Sequence, residues 1–116
     1  MLDTSPLVAV VERFADRLRA APQSRLQRGA AAEGLALARA LAERAQVWEG
    51  LGAGAPPRVM PDAGIFAVGD QLAVAGLDLA EALRAPAAQD AATAPSEALD
   101  EAVRLVEEAE ARAAVR

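Results

Sequence analysis

The chain is 116 residues long, enough for one domain around one core, and its 53% apolar content with only 3% aromatics is carried by Ala, Leu and Val, a helix-favouring mixture. The formal net charge is −5, the twelve basic residues are all Arg, and Lys, His, Cys and Tyr are absent. Those absences exclude a Ser–His pair, a thiol nucleophile, a Schiff-base lysine, an imidazole or thiolate metal ligand and any disulfide, while the acidic balance with scattered Arg argues against nucleic acid as a partner.

The first element is a helix from Ser5 to Ala20, with Ser5 as N-cap and Pro6 at the first helical position. Leu7, Val11, Phe14, Leu18 and Ala21 repeat at spacings of four and three and form one apolar stripe, and Pro22 ends the element. Ser24 is the expected cap of a second and longest helix, running to Glu49. Its stripe of Leu26, Ala30, Gly34, Leu37, Leu41, Ala45 and Trp48 is widened by Ala31, Leu35, Ala38 and Ala42, so two neighbours are expected to pack on it. The small residues Ala30, Gly34, Ala38 and Ala42 would admit a closely approaching helix.

From 50 to 64 the composition changes to Gly and Pro, and regular structure should stop there. Pro61-Asp62-Ala63-Gly64 has the chemistry of a tight turn with apolar residues on both sides. A short β-hairpin and an early helix start capped by Asp62 are both compatible with residues 58–68. The four-and-three rhythm returns at Val68, Leu72, Ala75, Leu79 and Leu83, giving a third helix from Asp70 to Ala85. Val74 and Leu77 lie off that stripe, and Gly69 and Gly76, each costly inside a helix, suggest either a late start at Asp70 or a tight contact at Gly76. Residues 85–95 form an Ala/Pro connector, after which Ser96 is expected to cap a fourth helix ending at Val115. The apolar line of this helix is thin, and Glu107, Glu108 and Glu110 mark it as the most exposed of the four.

The expected fold is therefore all-α, a four-helix bundle in one domain over 1–116, with room for a small hairpin before the third helix. No unbroken apolar run reaches the ~18–20 residues of a membrane span. The segment from Met1 to Val11 has an acid at Asp3 and no basic residue, so it does not read as a secretory signal. With no Cys, the cytoplasm is the expected compartment. Uniform Arg with abundant Ala, Gly and Pro fits a GC-rich bacterial genome.

Few constellations suggest chemistry. Asp62, Asp70, Asp78 and Glu81 form the best acidic group, but their spacing matches no Ca²⁺ loop, and a solvated helix face paired to Arg accounts for them. The alternation of Gly50, Gly52 and Gly54 looks like a phosphate loop, yet it follows a helix and runs into Pro56-Pro57, and behind Gly64 and Gly69 an Asp70 stands where a phosphate loop requires Lys. Neither a metal nor a cofactor is expected.

Trp48-Glu49-Gly50 resembles the turn of the small helical-hairpin proteins of type VII secretion, which carry Trp-x-Gly between two helices. That resemblance implies a secreted helical hairpin turning at Trp48. The chain departs from the pattern in its long Gly/Pro loop, in Pro22, Pro86 and Pro95, and in lacking the Tyr of the family's C-terminal signal.

The remaining clue is a surplus of apolar helix surface, since the second and third helices are apolar on more than one face. The expectation is a non-enzymatic protein–protein interaction or regulatory module, dimeric with itself or bound to another protein, using Leu35, Leu37, Leu41, Trp48, Phe66, Leu72 and Leu77 as core or interface. The alternative is a small apolar ligand between the helices, with Trp48, Phe66 and the 50–64 loop as a lid and Arg58 or Asp62 orienting a polar end.

Overall fold

The computed structural model describes residues 2–50, 58–86, 88 and 91–115. Among them every regular element is helical: α1 (Ser5–Ala20), a short α2 (Gln23–Arg25) continued by a wide turn over Leu26–Ala30, α3 (Ala31–Trp48), α4 (Val68–Arg84) and α5 (Pro95–Ala114). The four long helices are the four expected from the sequence, and their apolar stripes meet in one core. Residues 51–57, which include Gly52 and Gly54, lie outside the described residues, as do 87, 89 and 90 of the connector.

None of the three serines expected as N-caps serves as one. The caps are Thr4, Pro22 and Ala94, and none makes a side-chain capping bond. Proline's fixed φ draws the helix start back past the serine, so that α5 begins at Pro95 with Ser96 already inside it. At α1 the vacated role falls to Asp3, whose Oδ1 accepts both the backbone N–H of Ser5 at 2.9 Å and its hydroxyl at 2.6 Å. These bonds from Ser5 hold the Asp3 carboxyl below its ordinary value.

The long second helix of the sequence reading is broken in two. Gly29 has φ 139°, a backbone that L side chains rarely adopt, and the chain kinks there before α3 begins. Leu26 and Ala30, on either side of the kink, are both buried in the core.

Side-chain pairs across the bundle fix its topology. Val11 of α1 lies against Gly76 of α4 and Ala15 against Gly69, so these two helices are antiparallel. The start of α4 at Val68 meets the start of α3 at Gly34, while Leu79 further along α4 shares a cleft with Trp48 at the end of α3, so α3 and α4 are parallel. Arg44 pairs with Glu101 and Glu33 with Arg112, which makes α5 antiparallel to α3. The bundle therefore runs up, down, down, up. In cross-section the order is α1, α4, α3, α5, and the diagonal pairs touch least.

Parallel α3 and α4 require the chain between them to return the length of α3, and this is where the hairpin reading fails. The segment from Arg58 to Pro61 carries no regular structure and pairs with side chains, not with another strand. Gln46 clamps Arg58 by accepting from its N–H and donating to its carbonyl, both at 2.8 Å. Arg39 donates to the Met60 carbonyl at 2.8 Å and Gln71 to that of Pro61 at 2.9 Å. With these carbonyls taken there is no ladder for 65–68 to complete. Asp62 instead accepts from the backbone of Gly64 at 2.9 Å, and the turn through Ile65, Phe66 and Ala67 leads directly into α4.

α4 sits closest to its neighbours because it presents Gly where they approach. A Cβ on Gly76 would lie 2.6 Å from a methyl of Val11, and one on Gly69 would lie 3.0 Å from the backbone carbonyl oxygen of Ala15. Of the two readings offered by the sequence, the tight contact at Gly76 is the one observed, and the late start at Asp70 is not, since α4 begins at Val68 with Gly69 inside it.

Candidate interaction surface

The residues singled out from the sequence divide into three groups. Leu35, Leu37, Leu41 and Leu72 are buried in the core of the single chain. Trp48 is half-buried at the end of α3. Phe66 and Leu77 are exposed, at 71% and 48% of their surface.

α4 explains the exposure. Its buried residues, Val68, Leu72, Ala75, Gly76, Leu79 and Leu83 among them, occupy the half of the helix turned to α1 and α3. At 100° per residue, Val74 and Leu77 fall on the opposite half. Val74 is 56% exposed, and Ala73 beside it is half-buried. Phe66 stands on the turn just before the helix, so an apolar row runs from the entry of α4 to its middle.

Charged residues frame this row. Asp70, Asp78, Glu81 and Arg84 are all exposed. Asp70 is held by Arg19 of α1, whose Nε and Nη2 both reach Oδ1, at 2.9 and 2.8 Å; Arg19 also pairs with Asp16 at 3.0 Å. The bond to Asp70 is the main reason the Arg19 guanidinium holds its proton more tightly than usual. Asp78 faces α3, where it lines a crevice with Ala42, Ala45 and Gln46. Arg84 makes no hydrogen bond or ion pair among the described residues. The acidic group proposed from the sequence is thus dispersed: Asp62 closes a turn, Asp70 pairs with Arg19, and no group of three or more potential ligands gathers among the described residues.

Of the lid envisaged for a ligand, residues 51–57 lie outside the described residues. Trp48 walls a half-open groove of about 570 Å³ between the end of α3, residues 88 and 91–93, and the first turns of α5, with Leu79 behind it and the Arg44–Glu101 ion pair alongside. Phe66 is not among the residues lining it, Arg58 is bound through its backbone to Gln46, and Asp62 is committed to Gly64. At Trp48-Glu49-Gly50 the chain does stop a helix, with Gly50 in the left-handed region at φ 75°. The helices on either side of it run parallel, however, and form no hairpin.

One cluster was missed by sequence reasoning. Glu110, read as part of an exposed face, is only 7% exposed. Its carboxylate accepts from Arg13 at 2.7 Å and pairs with Arg17 at 3.1 Å, and the bonds it accepts raise the affinity of the Arg13 guanidinium for its proton. Glu110 follows Val106 by four residues and precedes Ala113 by three, so it lies on the apolar line of α5. That spacing was the available signal. Its two Arg partners on α1 satisfy the carboxylate, and the cluster ties α1 to α5, with Arg17 and Glu110 also lining a crevice of about 180 Å³ beside Phe14 and Ala113.

Comparison with known protein families, characterised proteins and solved structures returned no match. No helix among the described residues is long and apolar enough to cross a membrane.

Proposed function

We propose that this chain is a non-enzymatic interaction module that docks on protein through the outward face of α4. The observation that carries this reading is the row of Phe66, Val74 and Leu77, exposed on a helix whose other face already closes the core. Covering large aliphatic or aromatic side chains yields roughly 1.5–3 kcal/mol each, and a short apolar row with a charged frame is the usual anatomy of a docking patch. The residue inventory supports the non-enzymatic half of the proposal, since nucleophiles and general bases other than carboxylates and hydroxyls are missing from the chain. A photo-reactive amino acid placed at position 77 in cells of the source organism should give discrete protein adducts, whereas the same group at exposed Ala36 on α3 should not. Indistinguishable adduct patterns from the two positions would overturn the reading.

The groove beside Trp48 supports a second reading, a small apolar ligand held at the end of α3. Trp48 is the single tryptophan of the chain, so its emission reports that site alone. Titration with medium-chain fatty acids should shift its spectrum to saturation at a one-to-one ratio and raise the melting temperature if the groove is a binding site. A spectrum and melting temperature unmoved by these ligands would remove this reading.

A further inference from the structure

The geometry points to a second copy of this chain as the occupant of the α4 face, packed antiparallel about a two-fold axis beside Leu77. This rests on the docking role assigned to that face above and adds the partner and its register. Asp70, Leu77 and Arg84 are spaced by seven residues, so they fall on one line along the helix, turning by only about 20° at each step. The line carries a negative charge at one end, an apolar side chain at its centre and a positive charge at the other. When two such helices pair antiparallel with Leu77 on Leu77, Asp70 of each stands level with Arg84 of the other, and the ion pair forms twice. A parallel pairing would set Asp70 against Asp70 and Arg84 against Arg84. The line is therefore complementary to its own reverse and not to its own copy in the same direction.

The state of both charged groups in the single chain fits this role. Arg84 is exposed and unpaired among the described residues. Asp70 receives both of its contacts from Arg19 on Oδ1, so Oδ2 can accept a guanidinium from outside. In the same register Glu81 stands level with the small Ala73 of the other copy. Asp78, turned toward α3, stays at the rim.

The test uses the whole chain at physiological salt, where charges farther apart than roughly 8 Å are largely screened. Sedimentation equilibrium at concentrations on the order of 100 μM should give a dimer. Asp70→Arg and Arg84→Asp should each weaken self-association about tenfold, because each places like charges together twice across the axis. An equimolar mixture of the two variants should recover wild-type affinity as a heterodimer, since both pairs then become opposite in sign. The chain has no cysteine, so Leu77→Cys offers one thiol, and under mild oxidation it should cross-link far faster than Val47→Cys at the exposed end of α3. Unchanged melting temperatures would show that the variants still fold.

A wild-type chain that remains monomeric at that concentration would overturn the second copy as occupant, while adducts at position 77 with a different protein would leave the docking role intact. A dimer whose charge variants fail to complement on mixing, or in which the two cysteines cross-link equally, would overturn the antiparallel register.

Discussion

Replacing Leu72 with alanine is expected to lower folding stability by about 2–5 kcal/mol, whereas the same change at Leu77, five residues further along α4, should cost less than about 1 kcal/mol. Leu72 is fully buried in the half of α4 turned to the core, so truncation removes apolar contacts and leaves a cavity behind. Leu77 is 48% exposed and loses only part of a contact on truncation. Urea denaturation of the two variants, at concentrations where the wild type is monomeric, measures the difference directly through the midpoint, with the slope unchanged if both unfold in two states. Nearly equal losses would mean that Leu77 is a core residue, and the docking face of α4 would lose its central side chain.

The split between these two leucines was legible in the sequence. Val68, Leu72, Ala75, Leu79 and Leu83 keep the helical rhythm, and Val74 and Leu77 visibly do not. The same rhythm located all four long helices, because the period of the apolar residues is imposed by the core they face. Helix starts were less legible. A serine before proline and a serine after it look alike as caps, yet at α5 the start fell on the proline before the serine and at α1 on the serine itself. The kink at Gly29 was hidden, since a glycine among alanines reads as a weak helical residue until its φ is known. The burial of Glu110 was hidden by its charge, because only the approach of α1 brings Arg13 and Arg17 to it.

Least legible was the direction of α4. Local periodicity carries no information on whether consecutive helices run parallel or antiparallel, and the loop composition at 50–64 indicated only that regular structure stops. The parallel course depends on Arg39, Gln46 and Gln71, three polar side chains on helix surfaces that capture the carbonyls of the returning segment. On the sequence alone they are ordinary solvent-facing residues. Their effect on the candidate site is direct, because the returning segment delivers Phe66 to the entry of α4 and so begins the apolar row that Leu77 continues.

Gly76→Val should be the most damaging substitution on the α1–α4 seam, with a cost of about 3 kcal/mol, at the upper end of what overpacking exacts. A Cβ at this position lies 2.6 and 2.8 Å from the two methyls of Val11 and 3.1 Å from its Cβ. Val11 cannot swing clear, since its branched side chain has one strongly preferred rotamer in a helix and the third contact is with an atom fixed to the backbone. Gly76→Ala exposes the balance more finely. Alanine gains up to about 1 kcal/mol over glycine in helix propensity, so the overpacking has to exceed that before the variant is less stable at all. With backbone-linked atoms on both sides the steric term should win, and Gly76→Ala should be less stable than wild type by about 1 kcal/mol. Removing the two methyls in Val11→Ala costs stability by itself through the cavity it opens, but in the Val11→Ala, Gly76→Ala double variant the new methyl occupies part of that space. The double-mutant cycle should therefore show favourable coupling of about 1–2 kcal/mol between the two positions. Additive losses would mean that α1 and α4 stand further apart in solution than the Gly76–Val11 contact requires.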